Sequence, residues 1–234
     1  MKCKIVLAIL LGFGSMQAEV LIAAGAGYKK PLEEVASIYE QKSGNKVSRI
    51  YGNLQQVIEQ AKQSGKIDAI LGDERFIEHS KLKVNKPIPI GKGKLVLASS
   101  KKAKLKKIED LQKFKQIALP DAKKAIYGIA AVEFLQNANL YEKLESKLLF
   151  LATVPQVSTY LIDGSVEVGF INISDYLASK DKLGIMIEID SALYSPINIS
   201  FATLKTSKNK ELGAFIEFVT TSEEAKAIFA KYGL

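Results

Sequence analysis

Apolar and polar residues along this chain fall into short runs that predict strands and helices in turn. Val20 to Ala24 is an apolar run of strand length. It enters Gly25-Ala26-Gly27, after which Leu32, Val35, Ala36 and Tyr39 recur at helical spacing. Pro31 suits the opening of that helix, where a missing N–H costs nothing. Lys46 to Tyr51 alternates like a strand, and Leu54 to Gln63 is amphipathic and ends at Ser64-Gly65. Further strands are predicted at Ala69 to Leu71, Lys94 to Ala98, Ile117 to Leu119, Leu148 to Thr153, Val166 to Ile171, Gly184 to Ile189 and Ile197 to Leu204. Helices are predicted at Ile108 to Phe114, Ala130 to Asn137, Val157 to Ile162, Lys208 to Thr220 and Ser222 to Tyr232. Apolar strands alternating with helices indicate an α/β protein with mostly parallel sheets flanked by helices. No internal repeat is visible.

The first eighteen residues read as an export signal and change the picture of the remainder. Lys2 and Lys4 precede an apolar stretch, Ile5 to Phe13, and small residues lead to a cut after Ala18. The apolar stretch is too short to span a bilayer comfortably. Export implies a periplasmic protein. The one cysteine, Cys3, would leave with the signal, so the core alone must hold the fold. Removing Lys2 and Lys4 lowers the formal charge from +8 to +6. The lysines are spread out, with one dense run from Lys92 to Lys107 and no aromatic residues interleaved in it. That argues for a solvated face and against a nucleic-acid groove.

Ligands of such sheets bind beyond the carboxyl ends of the strands, where turns feed helices. Four segments lie there: Gly25-Ala26-Gly27-Tyr28, Tyr51-Gly52-Asn53-Leu54, Ala125 to Ile129, and Thr153-Val154-Pro155-Gln156. Each offers unpaired backbone N–H groups at a helix start, where the dipole also favours an anion. Asn53 can cap its helix, donate its amide to a ligand, or do both. Tyr127 is expected to present its backbone N–H. Gly25, Ala26 and Gly27 let backbone approach closely, and Val154 lends an N–H. Tyr28 and Tyr194 are candidate cleft walls, with core or surface packing the better expectation for each. The single histidine, His79, lies between Glu78 and Ser80 and is expected to be exposed. With no second histidine and no mature cysteine, a metal centre would need carboxylates alone, for which Asp68, Asp73 and Glu74 read better as strand-edge caps, and no histidine lies at a recognisable triad position. The expectation is therefore a binding protein and not an enzyme, without a cofactor.

The chain resembles the periplasmic molybdate-binding proteins of ABC importers, of the type II periplasmic-binding-protein superfamily. Carrying the resemblance are Ala23-Ala24 with the Pro31 to Gly44 helix, Asp68-Ala-Ile-Leu-Gly-Asp73, and Leu119-Pro120-Asp121 with Ala125 to Glu133. Thr153 to Gln156 with Gly164 to Phe170, and the ending Ser222 to Gly233, complete it. The resemblance implies two lobes, residues 19–96 with 197–234 and residues 97–196. They would be joined by crossings near Lys94 to Ser100 and Tyr194 to Ala202. It implies a molybdate or tungstate ligand held between the lobes by Gly25, Ala26, Gly27, Asn53, Tyr127 and Val154. The partner would be an importer permease, and the protein a monomer. The first two loops depart from the family, which usually carries hydroxyls or an amide there. A sensory or partner-binding module for another anion on the same fold stays open as the alternative.

Overall fold

A computed structural model describes residues 19–234, so the export signal read in Met1 to Ala18 lies outside the described residues. In chain order the elements are β1 (Val20–Gly25), α1 (Lys29–Ser43), β2 (Val47–Gly52), α2 (Leu54–Ser64), β3 (Ala69–Asp73), α3 (Glu74–His79) and β4 (Ile88–Gly93). Then come β5 (Leu95–Ser99), β6 (Ile117–Pro120), α4 (Ile126–Asn137), α5 (Tyr141–Leu144), β7 (Leu148–Leu151), α6 (Val154–Asp163), β8 (Val168–Asn172) and α7 (Ile173–Ser179). The chain ends with β9 (Met186–Glu188), β10 (Ile197–Thr203), α8 (Leu212–Thr221) and α9 (Glu223–Lys231).

Two five-stranded sheets result, in the orders β2-β1-β3-β10-β4 and β7-β6-β8-β5-β9. In each, four strands run in one direction and a single strand, β10 or β5, runs against both of its neighbours. The sheets are thus mixed, with parallel pairing confined to one side of the reversed strand. The two orders also follow one plan. Each sheet receives an antiparallel strand, β10 or β5, between its third parallel strand and its edge strand. The architecture repeats although the sequence does not.

Strand periodicity decides what packs where. Val20, Ile22 and Ala24 of β1 face a core shared with α1, α8 and α9, whereas Ala23 faces a smaller cluster under α2 and α3. β3 and β10 divide in the same way: Ala69, Leu71, Ile199 and Phe201 go to the larger core, Ile70 and Ala202 to the smaller. The larger core continues without a break into the residues beneath α4 and α6 of the second sheet.

The chain passes from the first sheet to the second at Lys94 and returns between Glu188 and Ile197. Both passages are pinned. Lys94 pairs with Glu188 at 2.9 Å, and its carbonyl accepts from the Ile173 N–H at 3.0 Å. Glu133 of α4 accepts from the Ser195 N–H at 2.7 Å and its hydroxyl at 3.1 Å. Tyr194 is buried here, as core packing would have it and not as a cleft wall, and its hydroxyl accepts from the Leu95 N–H at 3.1 Å. Sequence periodicity does not predict β4, α3, α5 or α7, and it starts α4 four residues late.

Candidate functional site

Parallel pairing sets the loops side by side before any side chain is considered. Gly25 lies opposite Gly52 where β1 and β2 end, and Pro120 lies opposite Leu151 where β6 and β7 end. The four segments singled out in the sequence therefore converge in pairs, one pair from each sheet. They meet around one partly open cavity of about 30 Å³. Gly25, Ala26, Gly27, Asn53, Tyr127 and Val154 all line it, together with Tyr28, Gly52, Leu54, Gly72, Ala125, Ile126 and Thr153. A single water needs roughly 10–15 Å³ of such space, so the cavity admits a guest larger than one water but only a few atoms across.

The lining carries no lysine, arginine, aspartate or glutamate. What it offers is N–H groups. The short 3₁₀ turn Ala26–Tyr28 and α4 both begin without a side-chain cap, so no side chain claims their leading amides. Asn53 caps α2, its Oδ1 accepting from the Gln56 N–H at 2.9 Å. Its amide nitrogen stays available to a guest, so capping and donation are compatible. Thr153 caps α6 in the same manner, accepting from the Gln56-equivalent amide of that helix, Gln156, at 3.3 Å. The Gln55 N–H, in the first turn of α2, donates to the Lys124 carbonyl at 3.3 Å. That bond shuts the gap between the two sheets' helices beside the cavity.

The floor is built from groups the sequence does not pair. The hydroxyls of Tyr28 and Tyr127 share a hydrogen bond at 2.8 Å, fully inside the protein. Burial pushes both phenols well above the usual tyrosine range, so both stay protonated. Gly93 makes room for this pair: a Cβ there would stand 2.2 Å from the Tyr127 hydroxyl and 2.7 Å from Ile197 Cγ2. Asn172, completely buried at the end of β8, donates from Nδ2 to the Gly27 carbonyl at 3.1 Å and accepts from the Asp175 N–H at 3.2 Å. It is the residue that sequence reasoning missed. An asparagine ending an apolar strand signals a helix cap, and it is one, but nothing in that signal points across to Gly27.

Asp73 flanks the same region. Its Oδ1 accepts from the Phe76 N–H at 2.9 Å and its Oδ2 from the Asn198 N–H at 3.2 Å, so it holds α3 and the start of β10 together. Burial raises its pKa. His79 is exposed, with Nδ1 against the Arg75 carbonyl at 2.7 Å.

Residues 20–234 match the family model described as bacterial extracellular solute-binding protein. The chain belongs to this family. Among curated relatives of this solute-binding protein is the molybdate-binding protein ModA of Rhodobacter capsulatus, 28% identical over 97% of this chain and 93% of its own length. ModA of Azotobacter vinelandii is also 28% identical, over 96% of this chain and 94% of its own. The solved periplasmic molybdate-binding protein of Azotobacter vinelandii superposes with a TM-score of 0.81, covering 92% of this chain and 97% of that one, at 20% identity. The solute-binding protein thus has the two-sheet α/β fold of the type II periplasmic binding proteins.

Proposed function

We propose that this protein captures molybdate, or the closely similar tungstate, in the cavity between its two sheets and delivers it to the permease of an ABC importer in the cell envelope. The observation that carries the reading is the convergence of four helix starts on one uncharged cavity. Dipole and amide groups there suit a dianion without an opposing cation. The names of the relatives supply the choice of ion.

Residues 19–93 with 197–234, which carry the first sheet, form one lobe and residues 94–196, which carry the second, form the other; β5 moves the boundary three residues earlier than the expected 96. They close on the ion by a hinge at the two crossings. Gly25, Ala26 and Gly27, the Asn53 amide, and the Tyr127 and Val154 backbones hold its oxygens. The step is binding, with no bond made or broken and no cofactor. The protein works as a periplasmic monomer, and its scattered lysines draw anions in without touching them. Because the lining is rich in donors, a protonated oxyanion such as hydrogen phosphate brings a hydroxyl with no acceptor. One unpaired polar group costs about 1–3 kcal/mol, roughly a fivefold to hundredfold loss of affinity.

Calorimetric titration with molybdate, tungstate, sulfate and phosphate tests this. Tight binding of the first two, weaker sulfate and weakest phosphate is expected. Absence of heat and thermal shift with all four would overturn the proposal.

A further inference from the structure

Outside the small cavity lies a groove of about 590 Å³ that no part of the oxyanion reading uses. One wall comes from α2 and α3, through Ile58, Arg75 and Phe76; the other comes from α4 and the loop before it, through Lys123, Ile126 and Ile129. Its size is that of a pocket for an organic molecule; its wall surface is mostly apolar, supplied by Ile58, Phe76, Ile126, Ile129 and the stems of long polar side chains, although most of the residues lining it are polar or charged.

The charges in the groove are unevenly committed. All three of its acids already have partners. Asp73 accepts from two backbone N–H groups, Glu133 accepts from Ser195, and Glu59 pairs with Lys62 at 2.8 Å. Arg75 and Lys123 make no ion pair among the described residues, whose ion pairs involve other cations. The Arg75 Nε is buried from solvent with no hydrogen-bond partner at all. A guanidinium carries five N–H donors in a fixed fork suited to a carboxylate, and a buried donor left unpaired is costly.

We infer that this groove is a second ligand site, for a carboxylate-bearing molecule with an apolar body. Arg75 takes the carboxylate, Lys123 lends charge from the opposite wall, and Ile58, Phe76, Ile126 and Ile129 cover the apolar part. Because the two walls belong to different sheets, a bound molecule bridges them and favours the closed arrangement. Ile126 also lines the small cavity, so the two sites share a wall. The inference does not depend on which ion fills the small cavity.

The probes are 3-phenylpropionate and hexanoate, with acetate as a headgroup-only control, titrated first into ion-free protein and then with molybdate present. The expected result is measurable binding of both probes, at least tenfold weaker binding of acetate, and a loss of tenfold or more in Arg75→Gln. In Lys123→Met, an exposed position whose change should leave folding intact, a loss of twofold to fivefold is expected. Molybdate binding by both variants should stay within about twofold of the parent. Absence of probe binding in ion-free protein, acetate binding as tightly as the probes, or probe affinity unchanged in Arg75→Gln and Lys123→Met would each overturn the inference. The molybdate titration alone reports on the oxyanion reading, so failure of one is distinguishable from failure of the other.

Discussion

The Tyr28 hydroxyl, from the turn after β1, meets the Tyr127 hydroxyl, from the first turn of α4, at 2.8 Å. The two residues are 99 positions apart and stand on different sheets. Their bond joins the turn after β1 to the start of α4 across the cavity. Replacing Tyr127 with Phe removes it and leaves the Tyr28 hydroxyl buried without that partner, at about 1–3 kcal/mol. A roughly fivefold to hundredfold loss of oxyanion affinity is expected, with secondary structure retained. Tyr28→Phe should behave alike, and the double variant should cost less than the two single losses together, because the pair is one interaction. Calorimetry on the four proteins measures the coupling; additive losses would show that the hydroxyls act separately.

Asn53 permits its two roles to be separated. Aspartate caps helices about as well as asparagine, so Asn53→Asp should keep the bond from the Gln56 amide and leave thermal stability nearly unchanged. It replaces an amide donor with a negative charge beside an anion, so affinity should fall by a hundredfold or more. Asn53→Ala should cost about 1 kcal/mol of stability from the lost cap and less affinity than the aspartate. Thermal melts and titrations on both variants check the order.

Gly93 closes the chain's first passage against the tyrosine pair. A methyl group there would stand 2.2 Å from the Tyr127 hydroxyl, nearer than any real contact allows. Gly93→Ala should therefore displace Tyr127, weaken ligand binding at least tenfold and hold the cleft open. Small-angle scattering with saturating ligand should show a larger radius for the variant than for the parent.

Asp175, in the first turn of α7, is pushed up to about 6, chiefly by burial and against the opposing effect of a hydrogen bond from Ser158. The unfolded carboxyl titrates near 3.9. Between those values the folded protein holds a proton that the unfolded chain has released, so stability falls as pH rises through this window and levels off above about 6. Asp175→Asn should flatten that slope and raise stability at neutral pH relative to the parent. Denaturant titrations at pH 4, 5, 6 and 7 measure both. An unchanged slope in the variant would show that another group sets it.

The parts of this architecture written in local pattern were legible in the sequence. Apolar runs marked β1 and β3, and glycines after α2 and α6 marked where those helices stop. β4 was not legible, because Pro89 and two glycines break its pattern; an edge strand tolerates what a central one does not. The start of α4 was hidden by Gly128. That glycine looks like a loop residue but sits within the helix, because a Cβ would come within 2.3 Å of the Pro120 carbonyl oxygen. The antiparallel insertion of β5 and β10 leaves no mark either, since a buried strand is apolar whichever way it runs. At the cavity, the loops and their amides could be found one by one from turn chemistry. The tyrosine pair and the reach of Asn172 to Gly27 could not, because each joins residues far apart in sequence through contacts only the tertiary fold creates.

The late return of the chain to its first sheet also bears on when that sheet can be completed. β3 and β4 both wait for β10, which is synthesised after the whole of the second sheet. Until its last forty or so residues emerge, a nascent chain has a gap in its first sheet and nothing to fill it. Such a chain completes its first sheet late, after the second sheet has been made.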